Sequence, residues 1–86
     1  MTNNKMLYKE YFQEEMENYR KNTNQTYEQM AEILDIAARS YSDLARGKFS
    51  PSLATMVQYL LVLTDEQILK TFHDLQIKLK EADINE

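Results

Sequence analysis

ILDIAARSYSDLARGKFSPS, Ile33 to Ser52, contains the only glycine and the only proline of an 86-residue chain. So little turn material favours helices with short connections over a turn-rich sheet protein. Asp35 interrupts the apolar rhythm just after Leu34. Aspartate tolerates the left-handed backbone conformation better than most residues, although glycine would be cheaper there. A second helix is expected from Ala37 or Ala38 to Arg46, with Gly47 as the residue that stops it. Ser50 and Pro51 then read as an N-cap followed by a first-turn proline, opening a third helix over 51–63.

Outward from this stretch, apolar residues recur at helical spacing in five blocks. The first runs from about Lys5 to Lys21, with Tyr8, Phe12, Met16 and Tyr19 on one stripe and Leu7 and Tyr11 beside it. The polar run Asn22 to Gln25 ends it. Thr26-x-x-Gln29 fits a capping box, in which the hydroxyl accepts from a first-turn N–H and the glutamine reaches back. Met30, Ala31, Ile33 and Leu34 follow as an inward face. Thr64-x-x-Gln67 is a second capping box and opens the last block, an amphipathic helix over about 65–82. Only about three residues around Asp35 separate the second block from the third. That is too few for an antiparallel hairpin and forces a steep crossing, as in a helix-turn-helix over about 26–46. The expectation is a single all-α domain spanning 1–86, a compact five-helix bundle.

Composition narrows the function classes. Hydrophobic content of 43% and charged content of 28% suit a folded globular chain. With no cysteine there is no disulfide framework, thiolate metal site or thiol nucleophile. The N-terminus has no apolar core of the kind a signal peptide needs, and the apolar run Tyr59–Leu63 is far too short to span a bilayer. A cytoplasmic location with no membrane partner is expected. The sole histidine, His73, has Asp74 adjacent rather than one turn away, and no glycine-rich phosphate loop or metal-ligand spacing occurs. No enzyme, cofactor, metal site or small-molecule substrate is expected. Net charge is −4, and residues 65–86 hold three lysines against six acids, so the excess acid lies mostly in the last block. An acidic total weakens non-specific attraction to phosphate without excluding nucleic acid.

The run Thr26-Tyr27-Glu28-Gln29-Met30-Ala31-Glu32-Ile33-Leu34, then Ile36, then Arg39-x-Tyr41-Ser42-x-Leu44-x-Arg46-Gly47-Lys48, then Pro51-Ser52-Leu53-x-Thr55-Met56, resembles the phage-repressor/Cro-type helix-turn-helix family. The resemblance covers about residues 16–63. It implies a repressor-like fold and sequence-specific binding of double-stranded DNA through the major groove, in transcription regulation. Ala31 would lie where two crossed helices approach closest, with Met30, Leu34, Ile36, Tyr41 and Leu44 filling the wedge as core. The third block would be the recognition helix, presenting Ala38, Arg39, Ser42 and Asp43 to base edges. Arg39 is the best reader, since a guanidinium bonds guanine O6 and N7 together. The alternative is a solvated Arg39–Asp43 pair worth a few tenths of a kcal/mol. Arg20, Thr26, Tyr27, Arg46 and Lys48 would contact phosphates, which hold register without reading sequence.

Three positions depart from the family pattern. Tyr27 stands where glutamine is usual, and Ala37 where a Ser or Thr N-cap is usual. Ala45 replaces a glutamate that often pairs with a first-helix arginine, which leaves Arg20 free to meet phosphate. In the last block Ile68, Phe72, Leu75, Leu79 and Ala82 recur at spacings of 4, 3, 4 and 3. Such a stripe seeks a partner helix. Phe72, Leu75 and Leu79 are therefore the expected homodimer interface, with packing against the first block as the alternative. A different functional class stays open: a helical protein-interaction module, or an antagonist of another regulator, with little DNA affinity.

Overall fold

The computed structural model describes the backbone of residues 4–84 and the side chains of 4–82. Within those residues the chain is all-α, with five helices: α1 Asn4–Asn22, α2 Tyr27–Leu34, α3 Ala38–Ala45, α4 Leu53–Leu61 and α5 Asp65–Ile84. No helix among them is long and apolar enough to cross a membrane. α5 runs further than the sequence pattern indicates.

The helix ends follow from local chemistry. Thr26 Oγ1 accepts from Gln29 N at 3.1 Å while Thr26 N donates to Gln29 Oε1 at 2.8 Å. Thr64 and Gln67 repeat the arrangement at the start of α5, with the same two distances. Each box satisfies two N–H groups that a helix start leaves orphaned. The first three helices all stop the same way. After α1, Gln25 N donates to Arg20 O and Asn24 N to Lys21 O, around Asn24 at φ 56. After α2, Ile36 N donates to Ala31 O and Asp35 N to Glu32 O, around Asp35 at φ 57. After α3, Lys48 N donates to Asp43 O and Gly47 N to Leu44 O, around Gly47 at φ 80. These are Schellman closures, which need one left-handed residue and satisfy the last carbonyls. Asp35 and Gly47 behave as the sequence indicates; Asn24 adds a third.

One boundary is corrected. Ser50 and Pro51 do not open α4; the helix starts at Leu53 with Ser52 as N-cap, its Oγ accepting from Thr55 N at 3.1 Å. Ser52 reaches a first-turn N–H, and its own hydroxyl also donates to the buried Thr55 Oγ1.

The core is Tyr11, Phe12, Met16, Met30, Ala31, Leu34, Tyr41, Leu44, Tyr59 and Leu75, with Ile36 partly buried against it. α2 packs most extensively on α3, as the wedge residues require. Two apolar assignments change. Tyr8 remains well exposed, and Tyr11 takes its place inside, because α1 meets α5 as well as α3. Tyr11 donates its hydroxyl to Thr71 O at 2.7 Å and stacks edge-on to Phe12 at 5.2 Å. In α5, Leu75 is buried and Leu79 packs on the same core. These two are thus not free for a second subunit: their partner is α1 of the same chain.

Candidate nucleic-acid interface

α3 is a short helix whose inner residues, Tyr41 and Leu44, are buried, so its opposite side is turned outward by helix geometry. Ala38 and Arg39 are exposed; Ser42 and Asp43 are half-buried. The expected four thus share one surface. Ser40, absent from the sequence-derived set, is also exposed at the start of the helix. Arg39 makes no ion pair among the described residues, so the expected Arg39–Asp43 pair does not form. Asp43 lies instead 3.7 Å from Lys48 Nζ, whose side chain is 60% exposed. A pair this long and exposed contributes little stability but partly offsets the Asp43 charge on the outer face.

The N-terminus of α3 lacks a side-chain cap: Ala37 is the N-cap residue, extended at φ −68 and ψ 149, and it offers no acceptor. Ala37→Ser should therefore stabilise the fold by about 1 kcal/mol, since the backbone already has cap geometry and the residue is exposed. A midpoint of urea unfolding that does not rise would show that the cap geometry is not adopted in solution.

Two contacts from α1 hold α3 in place, and neither was legible as a spacing pattern. Gln13 Nε2 donates to Ala45 O at 2.9 Å, satisfying a last-turn carbonyl. Gln13 Oε1 lies 3.1 Å from where a Cβ on Gly47 would sit, so that glycine is required by its positive φ and is also crowded by this amide. Glu17 is the second anchor. Its Oε2 accepts from Tyr41 Oη at 2.6 Å, and its carboxylate takes Arg20 Nε at 2.7 Å and Nη2 at 3.1 Å. Burial pushes the Glu17 carboxyl up, but the hydrogen bonds from Arg20 and Tyr41 outweigh it and hold it below the usual carboxylate value. Burial, then the bond to Glu17, pushes the Tyr41 hydroxyl far above its ordinary range.

This network corrects the expectation for Arg20. With Ala45 in α3, the guanidinium is not released toward phosphate; Glu17, three residues back on its own helix, takes it. Its third nitrogen, Nη1, donates to Gln25 O at 3.0 Å, and its Cζ sits 4.6 Å over the Tyr27 ring. Tyr27 also packs edge-on to Tyr41 at 5.5 Å. The ring that replaces the family's usual glutamine is thus a spacer between α1 and α3. Its hydroxyl has no hydrogen bond among the described residues. Of the remaining expected phosphate contacts, Thr26 is committed to its capping box, though exposed, and Arg46 and Lys48 are exposed at the end of α3.

Phe72, the third expected dimer residue, is 43% exposed. It belongs to a larger apolar surface than α5 alone provides. Leu53, Val57 and Leu61 form an exposed stripe at four-residue spacing along α4, and Leu69 is exposed on α5 three residues before Phe72. Among the described residues, no three His, Cys, Asp or Glu side chains gather where a metal ion would bind. No protein-family model, no curated protein and no solved structure matches this chain.

Proposed function

We propose that this protein is a sequence-specific DNA-binding transcriptional regulator of the phage-repressor type, acting in the cytoplasm as a repressor and as a homodimer. The observation that carries the reading is the outward Arg39: an unpaired guanidinium on an exposed helix, which the α2–α3 turn and the Glu17–Tyr41 bond hold rigid. In this reading α2, the turn at Asp35 and α3 form the helix-turn-helix. Arg39 reads a guanine, Ser42 and Asp43 bond neighbouring base edges, and Ala38 leaves room for a close approach. Arg46 and Lys48 fix the register on phosphates from the end of α3.

The dimer of this proposal uses Leu53, Val57 and Leu61 of α4 with Leu69 and Phe72 of α5, since Leu75 and Leu79 are spent inside the subunit. A two-fold arrangement would set the two α3 helices on half-sites about 34 Å apart. Leu61→Lys should convert the dimer to monomer in analytical ultracentrifugation without unfolding it, because Leu61 is 71% exposed. A wild-type protein that sediments as a monomer at all concentrations would rule the dimer out.

Selection from random duplexes, followed by a salt titration, tests the DNA reading. With Arg46 and Lys48 on phosphates in each of two subunits, log K should fall against log salt with a slope of about −4. Absence of duplex binding even at low salt would overturn it. That outcome would leave the protein-interaction reading, which the exposed apolar stripe on α4 favours.

A further inference from the structure

Between the first turns of α1 and the segment joining α3 to α4 lies a slot of about 290 Å³. Phe12, Pro51, Met56 and the Tyr8 ring supply its apolar walls, and Lys5, Lys9 and Ser50 its polar groups. Its chemistry is unlike that of the two hollows between α1 and α5, which hold Glu14, Glu15, Asp74 and Glu81 and are as polar as they are apolar. No carboxylate lines the slot, although the chain is acidic overall. Lys5 and Lys9 are four apart on α1, so both ammonium groups stand on one side of it. Neither makes an ion pair among the described residues. An apolar recess with a few convergent polar groups is the usual form of a small-molecule site. At roughly 30 Å³ for each water-sized volume, it admits about ten non-hydrogen atoms.

We propose that this slot binds a small amphipathic carboxylate, with its apolar tail against Phe12, Pro51 and Met56 and its head between Lys5 and Lys9. Two cations and no acid select an anionic head; the walls select a hydrocarbon tail; the volume limits the whole to the size of an eight-carbon acid. Ser50 and Pro51 follow directly on Lys48 and the exposed Phe49, so an occupant stiffens the connection that carries Lys48. That consequence rests on the DNA reading; the binding itself does not.

The test uses the full chain without DNA, titrated with octanoate while the Met56 methyl resonance is followed. Saturable shifts at Met56 and Phe12 are expected. Affinity should drop about fourfold for each methylene removed from the acid. Octanol and octylamine should bind more weakly than octanoate. The double variant Lys5→Gln, Lys9→Gln, folded as judged by circular dichroism, should lose about five- to tenfold in octanoate affinity while octanol is unaffected. Octylamine or octanol binding as well as octanoate would overturn the proposal, because the charge would then select nothing. So would shifts centred on Leu53 and Leu61, or a slot that ignores octanoate and takes only an acidic apolar peptide. Because DNA is absent, failure here leaves the regulator reading standing, and failure of duplex binding leaves this site standing.

Discussion

Arg39→Ala is expected to weaken binding to a selected duplex by about 1–3 kcal/mol, or about five- to a hundredfold, and to relax preference at one base pair. The magnitude follows from a bidentate guanidinium–guanine contact, in which two parallel hydrogen bonds are lost together and the base's acceptors are left dry. The same substitution should leave thermal unfolding unchanged, since Arg39 is exposed and forms no ion pair that the fold would miss. Lysine at this position should recover only part of the affinity, because an ammonium is a point donor rather than a planar fork. Lys48→Ala makes the useful comparison: a phosphate contact should weaken all sequences alike and lower the salt slope by about 1. Fluorescence anisotropy with the selected duplex and its single-base variants measures each of these. If Arg39→Ala binds every variant as the parent does, Arg39 is not a reader and the regulator reading loses its main support.

Glu17→Ala should be the most damaging change to stability away from the apolar core, at about 2–3 kcal/mol. Removing the carboxylate strands the fully buried Tyr41 hydroxyl and the Arg20 guanidinium, whose side chain is only 18% exposed, so both lose their partner without regaining water. In a domain of this size that amounts to a fall in melting temperature of about 10–20 °C. The pH dependence has a definite sign. Glu17 is depressed in the folded state, so its contribution is present above the ordinary value of 4.5 and is lost as pH falls below it toward the folded value. Tyr41 is raised in the folded state, so its contribution is present below the ordinary value of 10.0 and is lost as pH climbs beyond it. Tyr11 and Tyr59 are raised as well, both first by burial. Tyrosinate absorbance for these three should therefore appear together with unfolding, not before it. Glu17→Gln should flatten the acid limb of a melting-temperature profile; an unchanged limb would mean that the bond to Tyr41 is absent in solution.

The legible part of the fold was the part written in local chemistry. Thr26 with Gln29 and Thr64 with Gln67 announced two helix starts, because a capping box closes within one turn and needs no distant partner. Asp35 and Gly47 announced two helix ends for the same reason, since backbone conformation at a single residue decides them. The wedge of Met30, Ala31, Leu34, Tyr41 and Leu44 followed from period alone. Ser50-Pro51 misled because Ser50 and Ser52 both suit an N-cap, and only the fit of Thr55 into the core selects the second. On the candidate face, Ala38, Arg39, Ser42 and Asp43 were legible because they lie opposite Tyr41 and Leu44 on a regular helix.

Side-chain partners lay beyond that reach. Nothing within the last block distinguishes Leu75, which packs on α1, from Leu69, which faces outward, for both fall in an apolar helical pattern. The sequence by itself determined five helices, their caps and the outward face of α3, because those depend on interactions closing within four or five residues. Only the tertiary structure decided that Arg20 belongs to Glu17, that Glu17 and Gln13 anchor α3, and that the free apolar stripe is on α4. Each of those depends on which faces of distant helices meet, and contacts across 24 or 32 residues leave no periodic trace in the chain.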